Sequence, residues 1–109
     1  MMPMPPAADL PEIEIRDNPE LNRYEAVMGQ AVAAFVDYRV LRDRMVLIHT
    51  EVDRAFTGRG VGLRLAQGVL DDIRARGLKV TPVCRFMAAY IERHPGYADL
   101  VSWGRERPA

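Results

Sequence analysis

The chain has 109 residues, of which 49% are hydrophobic and 28% charged, a balance that fits one folded domain and excludes a disordered chain. Its 15 basic and 15 acidic residues cancel, so no overall field draws it to nucleic acid or an acidic membrane, and any anion site must be built locally. One cysteine, Cys84, allows no internal disulfide and no zinc-type Cys/His pattern, and no apolar run reaches the roughly 20 residues of a membrane helix; a cytoplasmic protein without a metal site is expected.

Residues 1–11, MMPMPPAADLP, lack the basic and apolar parts of a secretory leader and are rich in proline, so they are expected to form a flexible tail. Residues 12–104 are expected to form one domain, with 105–109 a frayed end. Residues 12–16 alternate acidic side chains with Ile13 and Ile15, the pattern of a half-buried strand, and Asp17, Asn18 and Pro19 make a turn. Residues 23–28 read as a second strand, Gly29-Gln30 as a tight turn, and 31–41 as a third strand carrying Phe35, Val36, Tyr38 and Val40. After Arg42, Asp43 and Arg44, residues 45–52, MVLIHTEV, form the most strand-like run of the chain. Strand parity puts Leu47, His49 and Glu51 on one face and Val46, Ile48, Thr50 and Val52 on the other.

Residues 55–62, AFTGRGVG, bring three glycines within five residues at the point where a strand gives way to a helix. Such a turn either lays bare helix N-terminal amides against a phosphate or serves as a tight turn with no ligand. From there Val61, Leu65, Val69 and Ile73 recur at helical spacing, with Arg64, Gln67, Asp71 and Arg74 on the other side, and Gly77 caps the end near Arg76. Residues 78–83 give a short buried strand expected to run parallel to 45–52. Its Pro82 donates no ladder hydrogen bond, which favours an edge, a bulge or a place where two strands part. Residues 86–94 return to helical spacing and stop at His94-Pro95-Gly96, after which Tyr97, Leu100, Val101 and Trp103 are expected to pack back on the body. The fold class that follows is α+β: a mixed sheet of antiparallel hairpin strands, then a β-α-β unit, then a C-terminal helix. A dinucleotide-binding Rossmann domain would need G-x-G-x-x-G after the first strand and an acidic residue at the end of the next, and neither is present.

The run HTEVDRAFTGRGVGLRLAQGVLDDIRARGLKVTPVCRFMAAYIERHPGYADLV resembles the core of the GNAT acyltransferase superfamily, above all its short single-domain subgroup, and the resemblance spans residues 12–103. Gly60-Val61-Gly62 supplies the G-x-G of the motif Q/R-x-x-G-x-G/A, with Thr57 where Gln or Arg is usual. The words HTEV at 49–52 and a cysteine before an FxAAYI-like helix ending in HP at 84–95 also match, with Arg85 where proline is usual.

The resemblance implies a small acetyl-CoA-dependent N-acetyltransferase acting on an unidentified amine; the alternative is a CoA-binding or interaction module with little catalysis. It implies that Gly58, Arg59, Gly60, Val61 and Gly62 hold the pyrophosphate, and that the pantetheine arm runs between the strands at 45–52 and 78–83 where they splay. Amides near Glu51 and Val52 then hold the thioester carbonyl. His49 and Glu51 are candidate bases, Cys84 a candidate acyl-cysteine nucleophile beside Arg85, and Tyr90 a candidate donor to the leaving thiolate. Each has a structural alternative: a histidine tying the sheet to a loop, a solvated strand end, a small buried hydrophobe and a core aromatic. Of Arg54, Arg59 and Arg64 around the turn, Arg59 lies inside the cradle. The helices that follow the first strand in larger members are absent, so the acceptor site is expected to be open.

Overall fold

Alternating apolar residues give five strands: β1 (Glu14–Asn18), β2 (Arg23–Met28), β3 (Ala31–Val40), β4 (Arg44–Val52) and β5 (Lys79–Pro82). In the computed structural model, which describes residues 12–104, they form one sheet in the order β1-β2-β3-β4-β5. The tail expected over 1–11 and the frayed end over 105–109 lie outside the described residues. The first three pairings are antiparallel and β4–β5 is parallel, because α1 (Val61–Ala75) carries the chain back to the end at which β4 begins. A second helix, α2 (Arg85–Arg93), and a 3-10 helix, Pro95–Leu100, complete the α+β fold.

α1 buries Val61, Leu65, Ala66, Val69, Leu70 and Ile73, the stripe its spacing predicts. These meet Tyr24, Ala26, Ala34, Val36, Met45, Leu47 and Val80 of the sheet, and Met87 and Ile91 of α2. Gly68 lets β1 in close: a Cβ there would lie 2.7 Å from Ile15. The first strand begins two residues later than the alternation at 12–16 suggests, since Asp17 and Asn18 pair with Tyr24 and Arg23 instead of turning. The turn falls after them, with Asn22 at a φ of 54°.

At the far end of α1, two buried phenols are tied to carboxylates. Tyr24 donates to Asp72, Tyr38 donates to Asp17 at 2.6 Å, and Arg76 holds both acids, at 2.8 Å to Asp17 and 2.9 Å to Asp72. Burial, then the bond to Asp72, pushes the Tyr24 phenol far above its ordinary value; burial, then the bond to Asp17, pushes Tyr38 up to about 12. An unfolded tyrosine ionises near about 10, so above that pH the unfolded chain has released protons that the folded chain retains. The stability these groups contribute is therefore complete below about pH 10 and declines as pH rises from there toward about 12. Urea midpoints measured across that window should fall for the native chain and fall less steeply for Tyr24→Phe/Tyr38→Phe; equal slopes would show that the phenols are not linked to folding.

Candidate functional site

β4 ends at Val52, and the chain turns at once because the Asp53 carboxylate accepts the Ala55 N–H at 2.8 Å and starts a 3-10 turn, Arg54–Phe56. It then passes Gly58 and Gly60 at φ of 84° and 75°, a left-handed backbone that favours glycine. Gly60 caps α1 without offering a side-chain acceptor, and the first turn carries no acidic residue. Arg64 is the first residue of α1 to donate to a helical carbonyl, that of Gly60 at 3.1 Å, which leaves the N–H groups of Val61, Gly62 and Leu63 without acceptors among the described residues. Three such amides at the positive end of a 15-residue helix make a place that favours an anion.

The residues expected in the cradle thus share one turn. Arg59 lies inside it, its guanidinium 5.9 Å from the Phe56 ring centroid, whereas Arg64 turns away toward β1 to meet the Ile13 carbonyl at 3.4 Å. Gly62 has a second role. A Cβ at this position would come within 3.0 Å of Phe86 and 3.4 Å of Val52, so its absence lets the starts of α1 and α2 converge on the end of β4.

Beside the cradle the sheet opens. β4 and β5 pair from Arg44↔Lys79 to Leu47↔Pro82, and there β5 stops. The N–H groups of Val83 and Cys84 both donate to the Leu47 carbonyl, at 3.0 and 3.1 Å, and draw the chain off into α2. Pro82 stands at the parting, as its missing N–H suggests. Beyond Leu47 the edge of β4 has no strand partner, and a bulge there decides what faces it. Asp37 pairs with His49 but Tyr38 with Leu47, so Ile48 is the extra residue.

The bulge corrects the parity read from the sequence. Leu47 is fully buried on the helix side, Thr50 and Val52 follow it there, and His49 and Glu51 point to the opposite face. It turns the amides as well: Asp53 donates to the Ala33 carbonyl at 2.8 Å, so by the two-residue period the Val52 N–H faces the open edge and that of Glu51 faces β3.

Cys84 precedes α2, half-buried, its Sγ 3.2 Å from Thr50 Oγ1, and this pair faces the parting on the helix side. On the other face His49 Nε2 and Glu51 Oε2 are 3.6 Å apart and both side chains are more than half exposed, at 55% and 61%. A groove of about 180 Å³ borders Glu51, walled also by Arg23, Phe35 and Asp53. His49 and Glu51 therefore sit together but across the strand from Cys84. Tyr90 is buried, stacked on His94 with ring centroids 3.9 Å apart and 6.1 Å from Tyr97, and burial followed by Asp71 raises its phenol.

Residues 23–100 match the sequence model described as GCN5-related N-acetyl-transferase. The chain belongs to this family. The match runs from β2 through the cradle, the parting and Cys84 to the 3-10 helix, so the candidate site lies wholly within the family's domain. Among curated relatives, Protein NATD1 of Gallus gallus and of Mus musculus are each 36% identical over 59 residues, 53% of this chain and 54% of theirs. Protein NATD1 of Homo sapiens is also 36% identical over 59 residues, 52% of its length, so the chain spans about half the length of these relatives. A GCN5-like protein from Staphylococcus aureus, solved in solution by NMR, superposes with a TM-score of 0.63 over 86% of this chain and 92% of its own at 24% identity, which supports the fold.

Three contributors to this GCN5-related site were not singled out from the sequence. Thr50 is a small polar residue in an apolar strand, and only the bulge turns it toward Cys84. Asp53 carries an Asx-turn signal immediately after a strand, which a reading centred on the glycines passes over. Phe86 has the spacing of a core residue, and its contact with the start of α1 depends on Gly62.

Proposed function

We propose that this domain is an acetyl-CoA-dependent N-acetyltransferase. One observation carries the reading: the unbonded amides at the start of α1 lie beside an opened β4 edge that leads to Cys84 and Thr50. Acetyl-CoA supplies an activated acetyl thioester. The amides of Val61, Gly62 and Leu63, with Arg59 beside them, bind its pyrophosphate. The open edge of β4 holds the pantetheine arm, and the outward N–H of Val52 donates to the carbonyl whose oxygen gains charge during transfer.

Cys84 Sγ then forms a bond to the acetyl carbon as the CoA sulfur leaves with the thiol's proton, and Thr50 Oγ1 orients the cysteine sulfur for that step. An amine attacks the S-acetyl group from the open face of the sheet, forming the amide and returning the thiol. His49, paired with Glu51, takes one proton from the ammonium form of the amine before it attacks, and the second N–H proton passes to the departing Cys84 sulfur. Glu51 and Asp53 on the rim suit a cationic amine waiting to react, since the groove's own cation, Arg23, is already paired with Glu25.

Incubation with acetyl-CoA and a panel of primary amines and lysine peptides tests this, read as CoA thiol released together with acetylated amine. Transfer to at least one class of acceptor is expected. A thermal shift with CoA but no transfer across the panel would favour the alternative, a binding module that keeps the fold without the chemistry.

A further inference from the structure

The charges of the chain cancel as a whole but not around the cradle. Residues 54–70 contain no acidic side chain, and on α2 the one acid is Glu92. Asp53, just before this stretch, spends its carboxylate on the Ala55 N–H. Arg54, Arg59, Arg85 and Arg93 are all exposed, and none forms an ion pair among the described residues. They belong to one rim, because Gly62 lets the start of α2 close on the start of α1, and Arg93 borders the same groove as Leu63. Two bare aliphatic side chains stand among them, Leu63 at 56% exposure and Val83 at 55%.

Arg85 and Arg93 are eight residues apart on α2, about 12 Å at the helical rise, so the cations frame the entrance instead of converging on one phosphate. A charged border around a few apolar side chains is the make-up of a protein docking surface, here for an acidic partner. Its position says what that partner brings. The rim encircles the way into the cradle and the parting, which is the side of the acyl donor, whereas His49 and Glu51 face the acceptor from across the sheet.

We infer that an acidic carrier protein, bearing its acyl group as a thioester on 4′-phosphopantetheine, docks on this rim as a second acyl donor. This rests on the reading that the amides of Val61, Gly62 and Leu63 hold the donor's phosphate. The phosphodiester that joins the arm to the carrier then occupies the cradle, the arm follows the open edge of β4, and acidic side chains around the attachment point meet the four arginines. The chemistry is that of acetyl-CoA: Cys84 Sγ bonds to the acyl carbon as the carrier's sulfur leaves with the thiol's proton.

The test uses the full chain and an acidic acyl carrier protein with its arm free for binding, or acetylated for transfer, beside CoA and acetyl-CoA. Carrier binding should weaken by at least about tenfold between about 50 and 300 mM salt. Arg85→Glu/Arg93→Glu, at exposed positions outside the acyl-transfer machinery, should lower carrier affinity at least about tenfold more than CoA affinity. The native chain should also strip acetyl from the carrier, seen as a loss of acetyl from the carrier's intact mass. A carrier that does not bind at about 1 mM while CoA does, or that binds and keeps its acetyl group while acetyl-CoA is consumed, overturns the inference alone. Equal losses for carrier and CoA in the double variant, or binding to phosphatidylserine vesicles in place of the carrier, overturn it as well. A native chain that binds neither CoA nor carrier overturns the proposed function and this inference together.

Discussion

Replacing Gly60 by valine should weaken acetyl-CoA binding by at least about a hundredfold, or about 2.7 kcal/mol, while the chain remains folded. Two effects combine. Gly60 has a φ of 75°, where a β-branched residue is strained by about 1–2 kcal/mol, and relief of that strain would rotate the peptide that opens α1. The added side chain would also stand where a phosphate must approach the amides of Val61, Gly62 and Leu63. Space around Gly60 is otherwise open, with nothing within 4 Å of its would-be Cβ, so the core has no reason to shift. Gly62 is a poorer position for the test, since a Cβ there would lie 3.0 Å from the Phe86 ring and make that ring give way, which mixes a packing change with the effect on the cradle. Gly60→Ala is the graded control: it carries most of the backbone strain with little of the bulk, and an intermediate loss is expected. Calorimetric affinities for the three proteins, with circular dichroism to confirm the fold, decide it; binding by Gly60→Val within threefold of native would falsify the amide cradle.

Cys84→Ala should lower acetyl transfer by at least about a hundredfold while leaving acetyl-CoA affinity within about twofold. The thiol is half-buried at the start of α2 and meets Thr50 Oγ1, so its loss costs the fold little beyond that contact, about 1 kcal/mol. A chain exposed to acetyl-CoA without amine should carry one acetyl group on Cys84 in its intact mass, and Cys84→Ala should carry none. Thr50→Val, which keeps the shape and removes the hydroxyl, should slow formation of that adduct without abolishing it. Unchanged turnover in Cys84→Ala would end the acyl-cysteine route and leave direct attack by the amine, with His49 and Glu51 still the available bases.

Much of this arrangement is legible in the residues because hydrophobic period and punctuation agree. The stripe on α1, the glycines before it, Gly77 after it and the His94-Pro95 stop place both helices to within a residue or two. Pro82 marks the parting of β4 and β5 through its missing N–H. The bulge at Ile48 is not legible, because an extra residue in MVLIHTEV changes neither composition nor apparent alternation; its position is set by pairing with Asp37 and Tyr38, about ten residues earlier in the chain. That one insertion turns Thr50 and Val52 to the helix side, sends His49 and Glu51 to the open face, and aims the Val52 amide at the gap. The Tyr24, Tyr38, Asp17, Asp72 and Arg76 cluster escapes notice for a similar reason: it joins four elements, β1, β2, β3 and the end of α1, and none of its members has a local pattern.

The central claim is that acetyl-CoA lies from the start of α1 into the parting of the sheet, and an amide-resolved NMR titration of the chain with acetyl-CoA tests it most directly. The largest shifts should fall on Val52, on Gly58 to Leu63 and on Cys84. Saturating acetyl-CoA that leaves those amides unmoved, or that shifts only residues of the groove between β1 and α1 around Asp17 and Arg76, would contradict it.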